Sequence, residues 1–188
     1  MPKRLALGTP LTLLCLALVC PALAGGVSAA QQPQPEAVVT CRNHVESGYA
    51  PLPAPGPGDL RFGRLAFTGL RSGASFRGAP DYEFEGRQFY FVKSAPSLST
   101  GPSVTVAVAP RFRDAVLIGV GGLRGFHQTI RFRPCAPGRR AFSYDGTIGR
   151  WTGWSGAFLA ARRVCATLVI RDGERVRYRR VPLGAPCR

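Results

Sequence analysis

Arginine alternates with aromatic or aliphatic residues in three places: Arg111-Phe112-Arg113, Arg131-Phe132-Arg133 and Arg175-Val176-Arg177-Tyr178-Arg179. A guanidinium is always charged and offers a planar fork of N–H donors. It grips phosphate, sulfate or carboxylate with two hydrogen bonds at once. Successive side chains on a strand point to opposite faces, so Phe112, Phe132, Val176 and Tyr178 are expected on one side and the arginines on the other. Where such strands neighbour one another in a sheet, they build an arginine-covered face with affinity for polyanions. The plainer alternative is a set of solvated outer faces on core strands, with some arginines paired to acids.

Other residues with chemical potential are fewer. Trp151 and Trp154 bracket Thr152-Gly153 and precede Ser155-Gly156. Exposed in a glycine-rich loop, they form a platform for sugar rings; buried, they belong to a β core. Asp81-Tyr82-Glu83-Phe84-Glu85 places three carboxylates on one strand face. Cross-strand pairing with arginine strands accounts for them more simply than calcium, since no Asp-rich calcium loop is present. His44 and His127 are the only histidines, and nothing couples either to a serine or an acid. Gly153-Trp154-Ser155-Gly156-Ala157 departs from the nucleophile elbow at its last position. Gly119-Val120-Gly121-Gly122-Leu123-Arg124 begins like a dinucleotide loop, but Arg124 stands at the third glycine position, so it reads as a turn. The sequence assigns no catalytic residue, metal ligand or cofactor. A hydrolase that uses a pair of acids at unreadable separation stays open.

The N-terminus bears on where this chemistry takes place. Lys3 and Arg4 precede an apolar run from Leu11 to Val19, and Ala22-Leu23-Ala24 follows with small residues at both recognition positions. This is the layout of a secretory signal peptide over residues 1–24, and it is too short to span a bilayer as a mature helix. Cleavage after Ala24 leaves 164 residues, and an alternative cut after Ala30 leaves 158. Either length suits one domain. No later run is long enough for a membrane span. Cys15 and Cys20 depart with the leader, and Cys41, Cys135, Cys165 and Cys187 remain. Four cysteines in an exported chain imply two disulfides with three possible connectivities. Their wide spacing argues against zinc.

The whole chain carries a formal charge of +15, and +13 once Lys3 and Arg4 are lost. Such a surface attracts polyanions. After cleavage Lys93 is the only lysine. The preference for arginine over lysine is also what a GC-rich genome imposes, although that bias leaves Asp and Glu codons available.

The elements that must position these residues are strands. Residues 25–37 read as a polar linker, and 38–188 as a single β domain. Candidate strands cover 38–41, 61–70, 88–93, 103–108, 115–120, 129–133, 164–170 and 175–181, all bounded by glycine and proline. Residues 157–163 are expected to supply the one short helical turn, because 17 prolines and 23 glycines break longer helices. The fold class is all-β, an antiparallel sandwich of Ig-like or jelly-roll-like type with roughly 8–9 strands. Asp172-Gly173 marks a hairpin. That hairpin returns Cys187 to the edge where Cys165 starts, which favours Cys165–Cys187 and leaves Cys41 for Cys135.

The segments Trp154-Ser155-Gly156-Ala157-Phe158, Val164-Cys165-Ala166-Thr167-Leu168-Val169-Ile170 and Leu183-Gly184-Ala185-Pro186-Cys187 resemble secreted two-disulfide β proteins of GC-rich bacteria that have no assigned activity. The resemblance covers about the last 35 residues. It implies a compartment and a two-disulfide β domain, and it carries over no site. The resulting expectation is a secreted, non-enzymatic β domain that contacts anionic cell-envelope or extracellular polymers. Candidate contacts are Arg111, Arg113, Arg131, Arg133, Arg175, Arg177 and Arg179. The alternative is a carbohydrate-binding module that uses Trp151 and Trp154, and after it a secreted hydrolase.

Overall fold

Val104, Val106 and Val108 are buried, while Thr105 and Ala107 between them are half-buried. The alternation in the sequence thus becomes a strand with one core face. A computed structural model of the chain describes residues 35–43, 54–71, 76, 78–140 and 146–187. The leader, residues 25–34 of the linker and His44 lie outside them.

Fourteen strands occur among the described residues. In chain order they are β1 (Ala37–Val39), β2 (Leu60–Phe62), β3 (Leu65–Phe67), β4 (Tyr82–Phe84), β5 (Arg87–Lys93), β6 (Pro96–Ser99) and β7 (Val104–Val108), followed by β8 (Val116–Val120), β9 (Phe126–His127), β10 (Thr129–Phe132), β11 (Trp151–Gly153), β12 (Gly156–Ala160), β13 (Val164–Asp172) and β14 (Arg175–Leu183). One five-stranded sheet runs β1-β10-β7-β13-β14. Facing it are a four-stranded sheet, β11-β6-β3-β2, and a second five-stranded sheet, β4-β5-β12-β8-β9. The core draws on all three, with Val106, Ile130 and Leu168 from the first, Leu65 and Leu98 from the second, and Ile118 and Phe158 from the third.

The second and third sheets meet at a bend. The paired strands β5 and β12 continue directly into the paired strands β6 and β11, through Ser94 N donating to Gly156 O (2.9 Å) and Trp154 N donating to Pro96 O (3.0 Å). Gly156 is required there, because a Cβ would lie 2.5 Å from Pro96 Cδ and 2.9 Å from Ser94 O.

The all-β expectation holds, and the structure corrects several details. Among the described residues there are fourteen strands rather than eight or nine. Residues 61–70 do not form one strand but contribute to the hairpin β2–β3, which turns where Gly63 has φ +66°. Residues 157–160 belong to β12 rather than a helical turn; pairing to both β5 and β8 overrides any local helical preference. The helical turn among the described residues is the 3-10 turn Pro110–Phe112. The first sheet is not wholly antiparallel, since β1 runs parallel to β10. The first strand also begins one residue earlier than expected. Ala37 is in β1, and Glu36 pairs with Arg131 (2.7 Å) and accepts from Thr105 Oγ1 (3.0 Å).

Candidate anion-binding site

The Asp-Gly hairpin forms, and its register sets the direction of the arginine run. Ile170 pairs with Arg177, Leu168 with Arg179 and Ala166 with Val181. Ile170, Leu168, Ala166 and Val181 are all core residues, and directly opposed side chains share a face. Arg175, Arg177 and Arg179 therefore lie on the core-facing side, where β14 runs on beyond Val181 and Leu183. Val176 and Tyr178 face outward, 44% and 66% exposed. This inverts the expected phase. The buried anchors sit at the far end of the strand, so the alternation of Arg-Val-Arg-Tyr-Arg does not reveal which face is inside.

The remaining candidates do not join these three. Arg111 and Arg113 are not on a strand; they lie in and just after the turn Pro110–Phe112. Arg111 donates to Thr167 Oγ1 (3.2 Å), and Arg113 Nε donates to the Val108 carbonyl (3.3 Å). Arg131 is engaged by Glu36. In the first sheet β10 and β14 are separated by β7 and β13, so the arginine repeats do not build one continuous face. The acidic segment does not serve them either. Glu83 pairs across β4–β5 with Gln88, whose Nε2 donates to it at 3.4 Å.

The sugar platform is corrected as well. Trp154 is completely buried and Trp151 is only 6% exposed. Trp154 packs on Phe132 with ring centroids 5.5 Å apart, and its indole N–H donates to Thr40 O (3.1 Å). The Arg61 guanidinium covers the Trp151 ring at 5.5 Å. Neither indole offers a face to a sugar. No described group pairs with His127 Nε2, which is buried.

Arg133 belongs to a different cluster. Disulfides join Cys41 to Cys135 and Cys165 to Cys187. The first of these ties the turn after β1 to the segment after β10. Thr40 N donates to Asn43 Oδ1 (2.6 Å), Arg133 N to Val39 O (2.9 Å) and Cys135 N to Thr152 Oγ1 (2.8 Å). A further turn is closed by Gly138 N on Ile148 O and Ile148 N on Arg139 O, both 2.8 Å. Between these segments lies a cleft of about 350 Å³, lined by Thr40, Cys41, Arg42, Arg133, Pro134 and Arg139. Its three arginines are exposed, and among the described residues their guanidinium groups make no hydrogen bond or ion pair. Among the described residues, no carboxylate lines the cleft.

Three permanent cations around one concavity, with their donors unoccupied, are suited to a polyvalent anion and repel a cation. Only Arg133 of this trio stands among the sequence candidates. The others had a signal in the sequence: Arg42 adjoins Cys41 and Arg133 lies two residues before Cys135, so the long disulfide brings both to one place. Comparison with family models, curated proteins and solved structures returned no match.

Proposed function

We propose that this is an exported, non-enzymatic β domain that binds anionic polymers of the cell envelope or extracellular space through the cleft of Arg42, Arg133 and Arg139. The observation that carries this reading is three guanidinium groups in one concavity that, among the described residues, have no partner and no acid beside them. A net charge of +15 over the whole chain supplies long-range attraction. Two disulfides fit an oxidising compartment, and among the described residues no helix is long and apolar enough to cross a membrane. The arginines of β14 add a second, outlying positive region.

The test compares two triple variants that remove equal charge. One carries Arg42→Ala, Arg133→Ala and Arg139→Ala. The other carries Arg124→Ala, Arg150→Ala and Arg162→Ala, all at exposed positions. With heparin and inorganic polyphosphate as probes, the first variant loses at least tenfold in affinity and the second much less. Equal losses would mean that net charge alone matters, and the cleft would have no part in binding.

A further inference from the structure

β14 is the outer strand of the first sheet, and among the described residues no strand pairs with its free edge. It runs nine residues, whereas β1 at the opposite edge has three. One residue reveals where its backbone groups point. Pro182 has no N–H, yet it stands opposite Cys165 in the β13–β14 ladder. A proline fits inside a strand where its nitrogen faces away from the neighbouring strand. The register is unbroken from Asp172–Arg175 to Val164–Leu183, and backbone groups alternate sides along it. Val176, Tyr178 and Arg180 therefore share the direction of Pro182 and aim their N–H and C=O groups out of the sheet. The Tyr178 carbonyl agrees, since it accepts from a side chain, Arg179 Nη1 at 3.0 Å, rather than from a backbone amide.

A long edge with unpaired donors and acceptors is a template for another strand, and the charge on it decides which strand. β14 carries Arg175, Arg177, Arg179 and Arg180. Glu174 adjoins Arg175 in the turn, and Asp172, opposite Arg175, is held by Arg64. Arg177, Arg179 and Arg180 stand opposite Ile170, Leu168 and Thr167, none of them an acid. Among the described residues, none of these three arginines forms an ion pair. Two β14 edges brought together would set arginine against arginine. A strand bearing acids would instead find cations along its length.

The two faces of the edge differ. Arg177 and Arg179 lie on one, Val176 and Tyr178 on the other, and the latter two are 44% and 66% exposed. We propose that the free edge of β14 takes up an extended acidic–apolar segment of another protein as a sixth strand of the sheet. The segment's backbone bonds to the outward groups of Val176, Tyr178 and Arg180. Its acidic residues, at alternate positions, lie beside Arg177 and Arg179, and the apolar residues between them cover Val176 and Tyr178. The edge thus selects an order of residues as well as a sign of charge.

Short capped peptides serve as probes: glutamate alternating with valine, the same residues in two blocks, and lysine alternating with valine. The alternating acidic peptide should bind saturably, one equivalent per chain. It should bind about tenfold or more tighter than the block peptide or a fully N-methylated alternating one, because neither can pair as a strand with acids on one face. Arg177→Glu with Arg179→Glu should reverse the preference to the lysine peptide. Tyr178→Ser should weaken the acidic peptide severalfold. Thermal unfolding confirms that both variants are folded. Arg42→Ala, Arg133→Ala and Arg139→Ala together should leave peptide binding as in the parent, whatever they do to heparin, so the edge and the cleft stand or fail separately. The proposal is overturned if the parent binds no alternating peptide saturably, if block order or N-methylation makes no difference, or if the charge-reversed variant keeps the parent's preference. It is also overturned if sedimentation shows the parent associating with itself through β14, which would make a second copy the occupant.

Discussion

Arg64 donates to Asp172 through Nη2 (2.6 Å) and Nε (3.3 Å), and to the carbonyls of Ser99, Thr100 and Pro102 (2.9–3.2 Å). Among the described residues, the guanidinium groups of Arg42, Arg133 and Arg139 have no acceptor. The first arginine holds the turn of β2–β3 against the end of β13 and the loop after β6. The other three converge on a cleft and leave their donors to solvent. The chain is rich in arginine throughout, so the residue type does not distinguish structural from available charge. What distinguishes them is whether acceptors surround the guanidinium. A folded chain that leaves three such groups together without an acid carries mutual repulsion that an anion relieves.

Four measurements sharpen or break that contrast. The largest effect belongs to the disulfide beside the cleft. Replacing Cys41 and Cys135 by alanine opens a loop with a sequence separation of 94. In the chain-entropy model this costs about 4.7 kcal/mol of stability, against about 3.4 kcal/mol for the Cys165–Cys187 pair, whose separation is 22. Urea titration of both double variants gives the order, and the reverse order would show that the cleft segments are held without the long bridge. Trp154→Ala comes next. It leaves a cavity beside Phe132 and removes the bond to Thr40 O, at a cost of roughly 3–5 kcal/mol.

Arg64→Ala is the third. The Arg64 and Asp172 side chains are 26% and 33% exposed, so solvent screening reduces the value of the pair. With the carbonyl bonds included, a loss of about 1–2 kcal/mol is expected, read as a lower urea midpoint at constant m-value. The smallest effect on stability is that of Arg42→Ala, Arg133→Ala and Arg139→Ala, each within about 0.5 kcal/mol of the parent. The same triple variant should lower the log–log salt slope for a single-stranded phosphodiester polymer by roughly 2. A triple variant that unfolds as easily as Arg64→Ala would place these arginines in the structural class and end the contrast.

The parts of the fold that were legible in the sequence are those where burial follows from local pattern. Val104–Val108 alternates and is a half-buried strand, and Asp172-Gly173 between two β-rich runs is a hairpin. The pairing of the cysteines followed from the edge to which that hairpin returns. Illegible features were those settled by partners distant in sequence. Ala157–Ala160 is a strand only because β5 and β8 flank it. Trp151 and Trp154 lie in a glycine-rich stretch that resembles an exposed loop, yet both are enclosed by residues from Thr40, Arg61 and Phe132. The arginine alternation showed a period but not its phase. The cleft was half legible, since each cysteine of the long disulfide has an arginine close by, but Arg139 enters through a turn that Ile148 closes.

The parallel pairing of β1 with β10 has a consequence for the order of assembly. Ribosomes release the chain from its N-terminus, so residues 37–39 emerge before almost all other described residues. They have no hydrogen-bonding neighbour until residues 130–132 have followed, and Thr40 awaits the indole of Trp154. The first strand made thus waits longer for a neighbour than any other strand of its sheet. Cys41 remains a thiol without its partner while more than ninety residues pass, a long-range closure of the kind that slows folding. A pulse of thiol-blocking reagent during synthesis would trap that interval, with Cys41 labelled in chains released as far as residue 134 and protected in those that have folded past Trp154.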